Sequence, residues 1–367
     1  MAKVFSFIRR EPVLIISMVA AALSCIFVPV DREYIGYMDF RTLALLYALM
    51  TVVAGLRSAG VFSAMANVLC TKAKSTRSIG IMLVCLCFFT SMLITNDVAL
   101  LTFVPFAVVV LGLAGRKQDL IRVVVLQTVA ANLGSMLTPV GNPQSLFLFS
   151  FYDMSILDFL SVTFPVWIGS LVLVLCCCFT LPNTKLSTNS GDKTAVDQRA
   201  LWIYLALFVV CLLTVLRVLS WPVMLAAVVI VLLVLDRKTL LKADFLLLLT
   251  FVAFFIFAGN LARIDAVYQL LQKLLSGREY LTSLLASQVI SNVPAALLLS
   301  GFTTNGKALL LGVNIGGLGT PIASLASLIS LKLYSRSEDA KMGRFMLEFI
   351  VFNVVLLVIL SVFQMVI

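Results

Sequence analysis

An all-α polytopic membrane protein, built from two inverted repeats that each carry a re-entrant hairpin and a broken transmembrane helix, is the fold this sequence predicts. Three observations lead to it. Of 367 residues, 62% are hydrophobic and only 12% charged, and the mean hydropathy is +1.11, far outside the range of soluble globular domains. Two long apolar stretches are interrupted at their middles by polar clusters. A motif containing Gly and Pro recurs, in register, in the two halves of the chain.

A helical crossing needs roughly 20 apolar residues. By that measure, crossings fall near 12–30, 41–56, 120–150, 158–181, 200–217, 219–235, 244–261, 306–331 and 345–366. The first follows Arg9 and Arg10 as a signal peptide would, but it is long for one and no A-x-A-type site follows it. The interrupted stretches, 78–113 and 281–301, are read as re-entrant hairpins.

Cytoplasmic loops carry the excess of Lys and Arg. With the N-terminus inside, most of the 27 Lys and Arg also lie inside, in clusters such as Lys3, Arg9, Arg10; Arg57, Lys72, Lys74, Arg77; Arg116, Lys117, Arg122; and Lys332, Arg336, Lys341, Arg344. A full crossing in place of each hairpin would export the Arg116 cluster. The expected topology is therefore a multi-pass protein of the cell (inner or plasma) membrane, with a cytoplasmic N-terminus and an external C-terminus.

The net charge of +10 follows from this topology. Short loops hold the cations, with no basic, aromatic-interleaved domain, so nucleic acid is not an expected partner. The eight cysteines lie in or beside apolar segments without a C-x-x-C pair and read as small hydrophobes. With no histidine, the usual zinc ligands and Ser-His or Cys-His nucleophiles are missing. No P-loop occurs. An intramembrane enzyme would need a second acid near Asp97, and none is evident, so the expectation is a protein that is not an enzyme and holds no cofactor. A passive channel fits the closed hairpins less well than alternating access does.

The repeat is legible residue by residue. "NLGSMLTPVGNPQ" (132–144) aligns with "NIGGLGTPIASLA" (314–326), so that Asn132, Gly134, Thr138 and Pro139 fall on Asn314, Gly316, Thr320 and Pro321. Upstream, "ITNDVA" (94–99) matches "ISNVPA" (290–295), pairing Thr95 and Asn96 with Ser291 and Asn292. "AGLRSAGVFSAMANVL" (54–69) loosely echoes "AGNLARIDAVYQLLQKLL" (258–275). The predicted organisation is a first repeat over 1–181, a linker and connecting helix over 182–217, and a second repeat over 218–367. Each half has an even number of crossings, so the connecting helix turns the second half over and inverts the repeat.

Unpaired backbone cannot face lipid, so broken helices at membrane depth must line a cavity or coordinate something. Gly141 permits an irregular turn, Asn142 can cap, and Pro143 suits the first turn of a new helix. Helix N-termini offer N–H donors to anions, and unwound carbonyls can ligate Na⁺. The hairpin tips and broken helices together predict one composite midplane site.

"TNDVALLTFVPF" and "ANLGSMLTPVGNPQ" resemble the ion transporter superfamily, in particular its citrate-transporter and arsenical-pump branch, related to the divalent anion/sodium symporters. The resemblance implies an elevator-like secondary transporter, a homodimer in the lipid bilayer, moving a small anion with Na⁺ or H⁺. It implies tip residues Thr95 and Asn96 in one half and Ser291 and Asn292 in the other, with Thr138, Gly141, Asn142, Thr320 and Ser324 beside them. Substrate contacts are expected at Thr95, Asn96, Asn142, Ser291, Asn292, Thr320 and Ser324, and ion coupling at Asp97, Asn96, Thr138, Gly141, Asn292 and Asn314, with Na⁺ at Asn96, Asp97 and Asn292. The symporter branch carries Ser-Asn-Thr tips; here the third position is Asp97 in one half and Val293 in the other. That departure favours, as alternatives, arsenite-type efflux or Na⁺/H⁺ antiport.

A carboxylate at membrane depth costs about 2.5–3.5 kcal/mol on insertion scales and is usually paired, hydrated or functional. Asp97 is therefore expected to carry a proton or Na⁺, or else to cap the second hairpin helix. Asn132 and Asn314 have a packing alternative, with Gly134 and Gly316 as close helix contacts. Pro294 reads as a helix start, Gln144 as a backbone partner, and Arg263 with Asp265 as an interfacial pair.

Overall fold

The computed structural model describes residues 12–62, 64, 75–113, 116–184, 196–337 and 340–366. Lys3, Arg9, Arg10, Lys72, Lys74, Cys70 and much of the linker lie outside the described residues. The first half contains α1 (Pro12–Phe27), α2 (Phe40–Ser58), α3 (Thr76–Ile94), α4 (Asn96–Leu113), α5 (Leu120–Ser135), α6 (Pro143–Phe151) and α7 (Ile156–Cys178). The connecting helix is α8 (Gln198–Val215). The second half contains α9 (Trp221–Leu235), α10 (Phe245–Ala262), α11 (Asp265–Leu275), α12 (Glu279–Ile290), α13 (Asn292–Leu299), α14 (Gly306–Ile315), α15 (Leu325–Tyr334) and α16 (Met342–Val366).

Among the described residues, six helices are long and apolar enough to cross a bilayer: α2, α3, α7, α8, α10 and α16. This is a multi-pass membrane protein. Two expected crossings, α1 and α9, are shorter, at 16 and 15 residues. By length alone α3 could cross unaided, a point that apolar run length did not separate from a hairpin arm. The helix α11 was also missed, because its polar face interrupts the apolar pattern.

The breaks fall where the local chemistry demands. Asn142 caps α6, its Oδ1 accepting from the Ser145 N–H at 2.9 Å, and Pro143 opens the helix where its lost donor does no harm. Ser324 caps α15 in the same way, accepting from the Ala326 N–H at 3.2 Å. Each helix pair breaks at one residue, Thr95 (φ 72°, ψ 149°) or Ser291 (φ 75°, ψ 154°). This backbone region is almost confined to glycine and costs a side-chain-bearing residue of order 1–3 kcal/mol. A conformation so disfavoured, present twice at matched positions, is imposed by the surroundings.

The start of α3 and the start of α5 meet at one place. The Thr76 and Thr184 hydroxyls lie 2.7 Å apart, Arg77 donates to the Leu181 carbonyl, and Arg122 of α5 donates to the Thr180 carbonyl at 3.0 Å. That place is the C-terminal end of α7. The outer ends of the α12–α13 pair meet at the other end of α7: Thr303 bonds Glu279, Tyr152 donates to the Ser300 and Thr303 carbonyls, and Lys307 pairs with Asp158 at 2.8 Å. With 23 residues, α7 spans roughly 34 Å between them.

Around these pairs, α2, α8, α9 and α10 form a second packed group. Tyr204 of α8 lies against Gly55 of α2 and donates to Asp236 at 2.7 Å. That bond, with one from Thr239, holds the Asp236 carboxyl below its ordinary range. Arg263 pairs with Asp31 at 2.8 Å and donates to Tyr37, so its partner is the loop after α1 and not Asp265.

Helix α5 packs on α3 through the missing side chain of Gly134, since a methyl there would lie 2.0 Å from the Phe88 carbonyl oxygen and 2.7 Å from Ser91 Oγ. Gly316 sits equivalently against Leu284 and Ser287, where a methyl would lie 3.0 Å from each. We therefore expect Gly134→Ala to lower the melting temperature in detergent by the equivalent of about 1–3 kcal/mol of overpacking. Gly112→Ala, with nothing within 4 Å of the added carbon, should leave it unchanged or slightly raised. Equal melting of the two variants would show that the α3–α5 contact tolerates a side chain.

Candidate functional site

The helix breaks converge on a ring of buried amides and hydroxyls. On one side, the Asn132 Oδ1 accepts from Asn96 Nδ2 at 3.2 Å and from Ser324 Oγ at 2.9 Å, while Asn132 Nδ2 donates to the Gly317 carbonyl at 3.4 Å. On the other, the Asn314 Oδ1 accepts from Asn142 Nδ2 at 2.9 Å, and Asn314 Nδ2 donates to Ser145 Oγ at 3.0 Å. The connections are exchanged: the asparagine of each broken helix bonds the cap residue of the other. The exchange links matched positions in the two halves of the chain.

Other bonds recur at the same matched positions. Thr138 donates to the Met92 carbonyl, and Thr320 to the Gln288 carbonyl at 3.0 Å. The Asn96 Oδ1 accepts from the Asp97 N–H at 3.0 Å, as the Asn292 Oδ1 does from Val293 at 2.9 Å. Gln288 fastens the unwound segment after α14, its Nε2 donating to the Gly316 and Leu318 carbonyls. These bonds satisfy the backbone that the broken helices leave open.

Asp97 is not satisfied in this way. Its Oδ1 has no hydrogen-bond partner among the described residues, and the adjacent N–H is taken by Asn96, so the capping alternative does not describe it. Asp97 faces a cavity of about 590 Å³, whose walls include Thr95, Asp97, Val98, Leu101 and Asn142. Arg57 and Ser58, from the last turn of α2, Lys242, from the turn before α10, and Asp244, the N-cap of α10, also line it. The volume lies within the range of small-molecule sites.

Of the residues selected from sequence, Thr95, Asp97 and Asn142 line this cavity. Asn96, Asn314 and Ser324 lie one layer behind, in the amide ring. Gly141 leaves no room for a side chain, a methyl there lying 2.0 Å from the Ser135 carbonyl oxygen. Ser291 bonds the Ala323 carbonyl, and Asn292 lies over Gly317. Thr138 and Thr320 spend their hydroxyls on neighbouring carbonyls, and Thr320 is exposed. Ser135, Ser145, Ser327 and Gln288 belong to the network but were not singled out, because isolated Ser and Gln are unremarkable in sequence. Among the described residues no cluster of three His, Cys, Asp or Glu that could hold a metal exists; the oxygens offered are amide, hydroxyl and carbonyl, with the carboxylates of Asp97 and Asp244 on the cavity wall.

A multi-pass helical protein with paired helix breaks enclosing a polar, cavity-lining centre belongs to the class of membrane transporters. The comparison with known sequences is specific: residues 4–305 match the citrate transporter family, and the chain belongs to it. It is 34% identical over 318 residues to the uncharacterized transporter MJ0456 of Methanocaldococcus jannaschii, covering 86% of each chain. To the inner membrane protein YbiR of Escherichia coli it is 30% identical, covering 84% of this chain and 83% of the relative. A more distant match, 28% identical over 169 residues, is to the silicon efflux transporter LSI3 of Oryza sativa subsp. japonica, covering 44% of this chain and 34% of the relative.

The Asn142–Asn314 bond joins the two halves and is open to a double-mutant test. Each of Asn142→Ala and Asn314→Ala should cost about 1–3 kcal/mol, by leaving a buried partner unsatisfied. The double variant should cost less than the sum, with a coupling of about 0.5–3 kcal/mol read from thermal unfolding of all four proteins. Strict additivity would mean that the bond does not tie the halves.

Proposed function

We propose that this member of the citrate transporter family is a secondary active transporter that moves a small anion, a carboxylate or an oxyanion, coupled to Na⁺ or H⁺. The observation that carries the reading is a cavity lined by Arg57 and Lys242 together with the tip residues Thr95 and Asp97 and the cap Asn142. Cations on its wall suit an anionic passenger. The unpartnered carboxylate suits a proton or a monovalent cation, either of which would relieve the cost of a lone buried charge.

On this reading, the two helix pairs are re-entrant hairpins of inverted repeats, each opening at an opposite end of α7. Hairpins and broken helices form a moving unit, and α2, α8, α9 and α10 belong to a scaffold against which it slides, in the elevator manner and as a homodimer that the superfamily resemblance implies. The N-terminus is cytoplasmic and the C-terminus external, in the cell membrane. Return of the chain, by the start of α5, to the Thr180–Thr184 segment where α3 begins supports the hairpin, and the exchanged Asn132 and Asn314 bonds support the repeat. Coupling would centre on Asp97, with oxygens of the amide ring, those of Asn96 and Asn292 among them, available to Na⁺.

Arsenite-type efflux or Na⁺/H⁺ antiport is the second reading, favoured by Asp97 standing opposite Val293 and by the similarity to a silicon efflux transporter. Thermal stabilisation of the purified protein separates the two. Stabilisation by Na⁺ or by pH that deepens with citrate, succinate or sulfate, and weakens in Asp97→Asn, is the expected result. A response to Na⁺ and pH alone, lost in Asp97→Asn and indifferent to every anion, would replace the anion reading with antiport.

A further inference from the structure

The cavity wall contains a cation whose hydrogen bond, among the described residues, goes to a backbone oxygen. Arg57, on the last turn of α2, reaches across to α4, where its Nη2 donates to the Leu101 carbonyl at 2.9 Å. In an uninterrupted helix that carbonyl would accept from the N–H four residues on. Residue 105 is Pro105, inside α4, and has no N–H to give. The proline thus leaves one acceptor over, facing the cavity, and Arg57 takes it.

No carboxylate neutralises Arg57 among the described residues. Arg122, Arg217, Arg263 and Arg344 make ion pairs; among the described residues Arg57 makes none, and neither do Arg41 and Arg77, which also donate to backbone carbonyls but do not line the cavity. The two acids on the same cavity are not its partners: Asp97 Oδ1 has none, and Asp244 caps α10 through the Leu247 N–H at 3.0 Å. The other cation of the wall, Lys242, donates to Ser58 Oγ at 2.8 Å. A guanidinium carries five donors in a fork that fits a carboxylate or oxyanion side-on.

We propose that Arg57 is the residue that recognises the charge of the transported anion, and that the Leu101 carbonyl holds it when no anion is present. The proposal rests on the anion reading given above. A hydrogen bond to an anion is roughly twice as strong as one to a neutral acceptor, so an oxyanion entering the cavity takes the guanidinium from Leu101. Because Arg57 belongs to α2 and Leu101 to α4, the exchange also undoes a tie between the two helices. Loading and release of α4 from α2 then become one event.

The test uses the full-length protein and four versions of it: wild type, Arg57→Gln, Arg57→Lys and Pro105→Ala. Thermal stabilisation is titrated with citrate, succinate, sulfate and phosphate, and separately with Na⁺ and pH. The anion that stabilises wild type should bind Arg57→Gln about 10–100-fold more weakly, the loss expected for a charge-assisted contact, and Arg57→Lys with an intermediate loss. The Na⁺ and pH responses should persist in both, which also verifies that they are folded. Pro105→Ala returns an N–H to the Leu101 carbonyl, frees the guanidinium, and should tighten anion binding several-fold.

Wild-type anion affinity in Arg57→Gln would overturn the proposal while leaving the anion reading intact. Unchanged affinity in Pro105→Ala would overturn the role given to Leu101. If no anion stabilises wild type although Na⁺ or pH does, the anion reading itself fails, and the proposal with it.

Discussion

Backbone polarity in a medium without water is the constraint on which this structure depends. An unbroken helix satisfies its own N–H and C=O groups along its length, whereas a broken one exposes N–H groups at each new N-terminus and C=O groups at each new C-terminus. Four breaks occur here near the centre of the molecule, at Thr95, at 136–142, at Ser291 and at 316–324. Everything polar around them follows. Asn142 and Ser324 cap the new helices, Thr138 and Thr320 bind carbonyls of the neighbouring pair, and Gln288 takes up the unwound turn. The surrounding apolar shell makes these bonds obligatory, since an unmade one has no solvent to replace it.

The same constraint gives the centre its chemistry. Oxygens and amides brought in to satisfy backbone also satisfy one another, so the ring of Asn96, Asn132, Asn142, Ser145, Asn314 and Ser324 is largely closed on itself. Asp97 stands outside that closure with an unpartnered oxygen on a cavity wall. A largely closed neutral network thus lies beside an open carboxylate. Val293, at the matched position of the other half, carries no such charge.

Strain and close approach are the means by which geometry is kept. Thr95 and Ser291 adopt a backbone region suited to glycine, and Gly134 and Gly316 let helices meet backbone to side chain or backbone to backbone. Such features persist only where many contacts over-determine them. Their recurrence at matched positions ties the two halves to one packing solution, even though the helix pairs differ in length: 19 and 18 residues in the first, 12 and 8 in the second.

Much of this was legible in the chain itself. Apolar run lengths identify the membrane as solvent, Pro and Gly mark the breaks, and the recurrence of Asn, Gly, Thr and Pro reveals the repeat, because each is a local property that sequence spacing carries directly. What only the tertiary structure decided is partnership. That Asn132 bonds Ser324 and Asn314 bonds Asn142, that Arg263 chooses Asp31 over Asp265, that Thr320 is turned to Gln288, and that Arg57 meets the carbonyl left over by Pro105 all join segments far apart in the chain. Spacing along one helix says which residues share a face; it holds no information on which other helix that face will meet.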